Sequence, residues 1–402
     1  APLKSLAMKD ADLSDLVGNA TRLALERIVD LCLEENVDAL LIAGDLYDGD
    51  MRSMKTAAFL VSEMDRLNAA GIAVYIIRGN HDAESVLTRE LEFPPNVNVF
   101  TGHGGTIEVP EKGVAIHGVS FAKPKAPESL LSKYDPPISG LFNIGLLHTS
   151  LAGASGHDTY APCSVNDLTA HGFDYWALGH IHIRQLHSEA PYVVMPGMPQ
   201  GRDIGEAGPK SVTLVTVNQG SVNLEERVTS QVEFSRQDVV LDGVEDWRDA
   251  LKAIEAVISS AAMAPSDHSV LRLELRGETQ LAWRLRRDHD LLLEQVTNLA
   301  RAKASVWIDK IVHRLSPPSQ QIKGEDPRSE LGALMSTLMD DESFMMRASS
   351  EADELIGGLP PELKSTFGET QEQEAQQVRD LLQDGVDDIV ARMMAGNSED
   401  AL

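Results

Sequence analysis

The sequence contains little cysteine and no long apolar run. Of its 402 residues only Cys32 and Cys163 are cysteines. Two thiols are too few for a disulfide framework or a thiolate metal site, which agrees with a reducing compartment. The longest apolar runs have the length of strands and are interrupted by glycine or charge, so none could span a bilayer. No charged-then-apolar signal segment opens the chain. We therefore expect a soluble cytoplasmic protein without a membrane partner.

Positive charge is also scarce. The chain has 35 Lys and Arg against 62 Asp and Glu, a formal net charge of −27. This balance argues against a surface coated with nucleic-acid-binding lysines. Residues 324–402 alone hold 19 acidic and 5 basic side chains, a net charge of −14, so about half of the excess lies at the C-terminal end. A nuclease is not excluded, because metal ions can bind phosphate through their own charge while the protein around them is acidic.

Four strand-length apolar runs each end in polar residues of the types that bind metals. They are 39–43 before Asp45, 73–77 before Asn80 and His81, 142–147 before His148, and 173–178 before His180 and His182. Short apolar runs of this kind fill buried strands. A predicted helix over 53–70 joins the first two runs into a βαβ unit. Its polar clusters therefore lie at carboxyl ends of strands, where open α/β sheets build their sites.

The remaining pattern predicts two packed sheets with helices outside. Residues 1–15 are polar and irregular, and apolar spacing predicts a helix from Asn19 to about Glu35. Three β-like runs suggest a second sheet region. A short helix is predicted near 165–171. Three later runs look like terminal strands of the same domain. These runs are 97–100, 106–109 and 114–119 for the second sheet, and 192–195, 212–217 and 222–228 for the terminal strands.

A second unit is predicted from about residue 238. A strand at 239–241 and four further elements give it a small β-α-β-α-β pattern: a helix at 247–258, a strand at 270–275, a helix at 282–299 and a strand at 304–312. Two amphipathic helical stretches follow, one with the stripe Leu331, Leu334, Met335, Leu338 and Met339, the other over about 371–394. We predict three domains: 1–235 with the polar clusters, a cap at 236–318, and an acidic helical tail at 319–402.

The polar clusters supply the side chains that a two-metal phosphoesterase site needs. Two divalent cations about 3.5 to 4 Å apart can clamp both the attacking and the leaving oxygens of a phosphate ester. Such a site needs a bridging carboxylate together with imidazoles or amides. Asp45 is the natural bridge, because each of its carboxylate oxygens can bind one ion. Asn80, His148 and His180 are candidate ligands of one ion, and we expect His182 to point toward the other.

His81 fits a catalytic role better than a ligand role, because its neighbour Asn80 already occupies the direction of the metal. A protonated imidazole there could stabilise the transition state or protonate the leaving oxygen. Asp82 could hold that ring and raise its pKa by favouring the charged form.

Four further residues have competing interpretations. Asp48 is read as a residue that supports the loop rather than as a ligand. His157 either lies near the metals or supports its own turn. Arg184 and Arg202 could contact substrate phosphates, since arginine matches phosphate with two hydrogen bonds, but each also reads as a solvated surface residue.

In order and spacing, residues 44–48, 79–82, 148 and 179–182 resemble the motifs of calcineurin-like metallophosphoesterases. With the cap, the chain is similar to SbcD-type DNA repair exonucleases. Three further segments, 156–157, 160–163 and 200–202, look most like the YhaO-like branch of that group. The resemblance implies an α/β fold in which a two-sheet sandwich is flanked by helices. It also implies two Mn²⁺ ions, with Mg²⁺ or another divalent ion as the alternative.

The resemblance further implies a Mn²⁺-dependent DNA exonuclease or endonuclease of DNA repair. Its partners would be DNA and a coiled-coil ATPase of the SMC type. A homodimer through the helices near residues 53 to 90 is an open alternative. Two other functions also stay open: a phosphodiesterase acting on small molecules, and a non-catalytic subunit that binds DNA ends or the ATPase.

One part of the family pattern does not occur in residues 1–30. Family members open with a strand that ends in Asp-x-His and gives two ligands to the first metal. Asp10, Asp12 and Asp15 have neither a preceding apolar strand nor a partner histidine. Either the chain as given lacks that strand or the protein lacks a full first metal site. We expect the former, because losing a central strand would expose backbone groups of its neighbours. As given, the chain should hold the second metal better than the first.

Overall fold

The structure is a computed structural model that describes residues 11–46, 54–84, 92–151, 160–318, 334–335, 337–359 and 371–394. The chain divides into two compact units, Ala1–Ser235 with Ala264–Val270 and Arg236–Met263 with Leu271–Leu402. The segment Ala264–Val270 is tied to the first unit by the ion pair between Arg27 and Asp267, whose atoms are 2.7 Å apart. Among the helices described, none is long and apolar enough to cross a membrane.

The first unit contains a parallel sheet of three strands in the order β1-β2-β3. Its elements are β1 (Ala39–Ala43), β2 (Ala73–Ile77), β3 (Val97–Val99), α1 (Ala11–Glu34) and α2 (Met54–Ala69). The predicted βαβ unit is therefore present. The register pairs Ala43 with Ile77, so the loops that follow β1 and β2 start side by side. The two helices cover one face of the sheet, where Val29, Met64 and Val74 are buried together.

Helix α1 starts earlier than the sequence pattern predicted. Leu13, Val17, Ala20 and Ala24 recur at helical spacing, and each is at most 6% exposed. The expectation of irregular structure up to residue 15 and of a helix from Asn19 was therefore wrong for residues 11–18, because these apolar residues bury against the rest of the unit. Residues 1–10 lie outside the described part of the chain.

The second sheet has six strands in the order β4-β5-β6-β7-β9-β8. They are β4 (Thr106–Val109), β5 (Val114–Gly118), β6 (Phe142–His148), β7 (Tyr175–Gly179), β8 (Gln185–Glu189) and β9 (Tyr192–Met195). The four inner strands are parallel, and the edge strands β4 and β8 pair antiparallel. Helix α3 (Val165–His171) lies on the outer face with Leu168, Phe173 and Trp176 in its core. His148 pairs with Gly179, so the ends of β6 and β7 are adjacent.

The two sheets pack face to face through Tyr75, Ile77, Phe100, Ile116 and Leu146. This arrangement confirms the predicted α/β sandwich with helices outside. Two strand predictions need correction. Strand β3 forms parallel backbone hydrogen bonds with the free edge of β2 and not with β4. It therefore belongs to the first sheet. Strand β8 was missed, because an exposed edge strand of polar sequence carries no apolar alternation.

Strands β10 (Ser211–Asn218) and β11 (Ser221–Val228) form a two-stranded antiparallel sheet of their own. They lie in the first unit, and the six-stranded sheet does not include them. They are joined by Gln219 and Gly220, whose φ angles are 49° and 81°. Positive φ at both central residues is typical of the tight turns that pair two strands directly with each other.

The second unit contains most of the sheet β12-β13-β14 and the helices that connect its strands. The elements are β12 (Val232–Val240), α4 (Trp247–Ala261), β13 (His268–Glu278), α5 (Ala282–Arg287), α6 (His289–Arg301) and β14 (Val306–Ser316). Strands β12 and β13 each begin in the first unit and continue into the second. The predicted single helix over 282–299 is in fact two helices. They are separated by Asp288, whose ψ of 34° leaves the helical range and whose carboxylate accepts from the Arg287 side chain at 2.7 and 2.8 Å.

The acidic tail contributes α7 (Glu342–Gly357) and α8 (Gln371–Met394), and the second of these has the predicted bounds. Leu331, the first residue of the predicted apolar stripe, lies outside the described residues. Helix α8 faces α5 through Arg286, whose side chain is only 8% exposed. Three carboxylates of α8 surround that guanidinium, those of Asp384, Asp387 and Asp388 at 3.6, 3.3 and 3.1 Å.

Candidate metal centre

The ends of β1 and β2 in one sheet and of β6 and β7 in the other meet at one point. Asp45, His148 and His180 each offer a ligand atom there, and these atoms lie within 4.8 Å of one another. Asn80 adds an oxygen, since its Oδ1 is 2.9 Å from His148 Nε2. The structure therefore brings together four of the residues that the sequence singled out from separate segments.

The hydrogen bonds of His148 show why these atoms suit a cation. His148 is fully buried, and its Nδ1 lies 2.8 Å from the carbonyl oxygen of Ala43. A carbonyl only accepts, so Nδ1 carries the proton and Nε2 of the neutral ring presents a lone pair. Nε2 faces Asn80 Oδ1 at 2.9 Å and Asp45 Oδ2 at 3.2 Å. Three acceptor atoms then converge with no proton between them, and a divalent cation satisfies that arrangement.

Three glycines leave the space in which these side chains meet. A Cβ at Gly79 would overlap Asp45 Oδ1 and lie 2.7 Å from His148 Cε1, and one at Gly44 would lie 2.5 Å from His148 Nδ1. A Cβ at Gly179 would lie 3.0 Å from His148 Nδ1. Each glycine is therefore required for the close approach of the loops to the imidazole.

Two of the converging residues also have unusual backbone angles. The φ of Asp45 is 56° and that of His180 is 98°. Positive φ is uncommon for residues other than glycine, and such strain concentrates at functional sites. The loops are thus held in conformations that these residues do not favour on their own.

Asp45 is an ionised carboxylate in this setting. Burial raises its pKa, but its polar neighbours, the His148 ring and the backbone N–H of His81, together bring the pKa below its ordinary value. That N–H donates to Asp45 Oδ1 at 3.0 Å, while Oδ2 faces His148. The two oxygens therefore have different neighbours.

Asp82 ties two of the site loops together. It is 2% exposed, and its Oδ2 accepts from the backbone N–H of Leu46 at 3.2 Å and from that of Gly79 at 3.1 Å. His81, the preceding residue, is exposed. The predicted roles of His81 as a catalytic group and of Asp82 as the partner of its ring stay predictions.

His182 lies outside the converging group and has its own partner. Its Nδ1 is 2.8 Å from Glu206 Oε1. Burial raises the pKa of Glu206, but hydrogen bonds from His182 and Arg202 outweigh it and lower the pKa to about 2. Arg202, considered above for phosphate contact, pairs with Glu206 at 2.6 Å, and Arg184 lies 3.4 Å from Glu226.

Sequence reasoning missed several neighbours of the site. Glu206 follows no apolar run and belongs to none of the motifs, so no pattern marked it. Tyr160 and Phe121 also approach the histidines, with ring centroids 5.0 Å from His180 and 5.3 Å from His148. Two other candidates, Asp48 and His157, lie outside the residues that the structure describes.

Comparison with known proteins agrees with this geometry. Residues 13–184 match the family model of the calcineurin-like phosphoesterases, and residues 234–316 match that of the middle domain of metallophosphoesterase YhaO. The uncharacterized metallophosphoesterase YhaO of Bacillus subtilis is 34% identical over 305 residues, which cover 72% of this chain and 73% of that protein. The chain belongs to the YhaO-like metallophosphoesterases.

Two further relatives are more distant. The DNA double-strand break repair protein Mre11 of Sulfurisphaera tokodaii is 28% identical over 168 residues, 40% of this chain and 42% of that protein. Mre11 of Methanopyrus kandleri is 25% identical over 263 residues, 56% of this chain and 55% of that protein. As a member of its family, this YhaO-like metallophosphoesterase is a phosphoester hydrolase with a candidate site for divalent metal at Asp45, His148 and His180.

Proposed function

We propose that this chain is a Mn²⁺-dependent nuclease that hydrolyses phosphodiester bonds of DNA in DNA repair. The observation that carries the proposal is the convergence of acceptor atoms from Asp45, Asn80, His148 and His180 at the carboxyl ends of four strands. Relatives with Mre11 in their names support DNA as the substrate. The choice of Mn²⁺ follows from the resemblance to SbcD-type exonucleases.

The ligands divide between two ion positions in this proposal. Asp45 would contribute to both, because its two carboxylate oxygens have different neighbours. Asn80, His148 and His180 would hold one ion, and His182 would help to hold the other. Divalent cations held there would supply Lewis-acid activation of the phosphate ester and of the attacking water. The buried His148 and the hydrogen bond of its Nδ1 to Ala43 keep the ligand set in place before substrate binds.

His81 acts on the leaving group. Its backbone N–H is fixed to Asp45 Oδ1, so the exposed side chain starts next to the ligand set and is open to substrate. In the charged form its imidazolium donates a proton to the leaving oxygen. Asp82 holds the loop between Gly79 and His81 by accepting backbone hydrogen bonds, and assists His81 in this way.

The partners follow from the same proposal. DNA ends are the substrate, and a coiled-coil ATPase of the SMC type is the partner that the resemblance to SbcD-type exonucleases implies. The domain with the ligands, the cap and the acidic tail would work together in the cytoplasm.

Metal analysis combined with two kinds of substrate tests the proposal. The full chain is loaded with Mn²⁺, its ions are counted, and it is assayed on single- and double-stranded DNA and on bis(p-nitrophenyl) phosphate. We expect hydrolysis of DNA by the wild type. His81→Asn should abolish turnover and keep the metal content, while the exposed His103→Asn serves as the matched control and should change neither.

The contrary outcomes separate the alternatives. Hydrolysis of bis(p-nitrophenyl) phosphate with none of DNA would identify a phosphodiesterase of small molecules. A chain that binds no Mn²⁺ and cuts neither substrate would be a non-catalytic subunit. Loss of metal from His81→Asn would show that the role of His81 was misassigned.

A further inference from the structure

Residues 197–206 pack directly behind the loop that carries His180 and His182. Gly197 has a φ of 76°, and a Cβ there would lie 2.8 Å from the carbonyl oxygen of His182 and 2.9 Å from the backbone nitrogen of Arg184. The backbone N–H of Met198 donates to the same His182 oxygen at 3.2 Å. The main chain of His182 is therefore supported from this segment.

The side chain of His182 is held from the same segment. Its Nδ1 lies 2.8 Å from Glu206 Oε1, and an ionised carboxylate only accepts hydrogen bonds. Nδ1 must then carry the proton, and Nε2 of the neutral ring keeps its lone pair. Arg202 Nη2 also lies 3.3 Å from Nδ1, a longer contact than the 2.8 Å to the carboxylate, which therefore dominates. The carboxylate of Glu206 thus decides which ring nitrogen is available to a metal.

Glu206 is itself firmly placed. The Arg202 side chain donates from Nε to both carboxylate oxygens at 3.0 and 3.1 Å and from Nη2 at 2.6 Å. The backbone N–H of Arg202 donates to Oε2 at 2.8 Å, and Asp203 accepts from the N–H of Gly205 at 2.7 Å at the start of the short turn that ends in Glu206. The Glu206 side chain is 14% exposed, against 42% for His182. The less exposed, better anchored residue therefore positions the more exposed one.

We propose that Glu206, held by Arg202, is a positioning residue that fixes the tautomer and orientation of His182 as a metal ligand. The inference rests on the proposed function, since it presumes that His182 binds one of the two ions. Partners of this kind typically account for about 10- to 100-fold in metal affinity. Arg202 is accordingly part of this support rather than a contact to substrate phosphate.

Mn²⁺ titration of the full chain tests the inference, with bound and free Mn²⁺ counted by electron paramagnetic resonance. Glu206→Ala should weaken the more weakly bound ion by about 10- to 100-fold. Glu206→Gln keeps an acceptor oxygen and should fall between Glu206→Ala and the wild type. Glu226→Gln is the matched control, because Glu226 also pairs with an arginine, and it should bind Mn²⁺ as the wild type does. Thermal unfolding without metal checks whether each variant folds. If Glu206→Ala does not fold, the comparison of Glu206→Gln with the wild type tests the inference.

A double-variant cycle separates action through His182 from general support of the fold. In a His182→Ala background, Glu206→Ala should cause no further loss of Mn²⁺ binding. An equal loss with and without His182, or wild-type binding by Glu206→Ala, would overturn the inference and leave the proposed function standing. Absence of Mn²⁺ binding by the wild type and by Glu226→Gln would overturn the proposed function, and this inference with it.

Discussion

Gly79→Ala tests whether the site depends on the space that Gly79 leaves. Gly79 is not among the glycines with positive φ, so alanine adopts its backbone angles without strain. The added Cβ would lie 2.7 Å from His148 Cε1 and 2.8 Å from its Nε2, where ordinary contact begins at 3.4 Å. The imidazole would have to retreat by about 0.7 Å. The imidazole is fully buried and hydrogen-bonded to the carbonyl oxygen of Ala43, so it has little room to move. The carboxylate of Asp45 must shift as well, because the added Cβ would overlap its Oδ1.

The magnitude follows from these displacements. Metal–ligand distances tolerate changes of only about 0.2 Å, so the shift disrupts the ligand set. Misplacement on this scale can cost on the order of 100-fold in rate, and we expect such a fall in kcat/KM with Mn²⁺. Overpacking a buried position should also lower the free energy of unfolding by about 1–3 kcal/mol.

The assay combines Mn²⁺ titration, phosphodiester hydrolysis and urea unfolding without metal. Gly18→Ala is the control, because nothing lies within 4 Å of a Cβ at that position in α1. It should leave hydrolysis unchanged and raise the unfolding free energy by about 0.5–1 kcal/mol, the usual gain for alanine over glycine inside a helix. Wild-type metal binding and hydrolysis by Gly79→Ala would refute the steric reasoning.

Three further predictions concern stability. Asp82→Ala removes the acceptor of the Leu46 and Gly79 backbone N–H groups. Each group left unsatisfied costs about 1–3 kcal/mol, so urea unfolding should show a free energy of unfolding lower by roughly 3 kcal/mol. An unchanged urea midpoint would contradict this. Burial, then the charges of Arg286 and His289, lower the pKa of His313 to about 3. The unfolded chain protonates this histidine near pH 6.5, so stability should be full above about pH 6.5 and decline toward pH 3, and His313→Gln should flatten that part of the urea-unfolding profile. Arg286→Ala removes the partner of three half-exposed carboxylates of α8. The loss should weaken the packing of α8 on α5 by about 1 kcal/mol, so the amide hydrogens of α8 should exchange about fivefold faster. Unaltered exchange would show that the Arg286 contact does not hold α8.

The sequence was most informative where apolar runs end in polar residues. Strands 39–43 and 73–77 have the predicted bounds, because both runs are apolar throughout, as is typical of strands in a parallel sheet; the second is largely buried and the first partly buried. The meeting of the two sheets at this point was implied by the family resemblance, whereas the closeness of Asp45 to Asn80 and of His148 to His180 followed from one physical rule, that carboxyl ends of parallel strands in a sheet share an edge. That rule needs no long-range information beyond the strand order.

The features that were missed depend on contacts that local pattern does not record. Glu206 reaches His182 across 24 residues of chain, and neither neighbour in sequence signals that contact. The polar strand β8 gains its structure from pairing with β9. The start of α1 is different, because the helical spacing of Leu13, Val17 and Ala20 is already present in the sequence.

The return of Ala264–Val270 to the first unit limits how the gene can be shortened. A fragment that ends at Ser235 would contain every proposed ligand. Its Arg27, however, would lose the 2.7 Å ion pair with Asp267. Ser230 would lose its 2.7 Å hydrogen bond with Ser266, and Gln231 the N–H that His268 donates to its carbonyl at 3.0 Å. A minimal catalytic fragment should therefore extend to Ser316, the last residue of β14. It would then include Ala264–Val270, which belongs to the first unit.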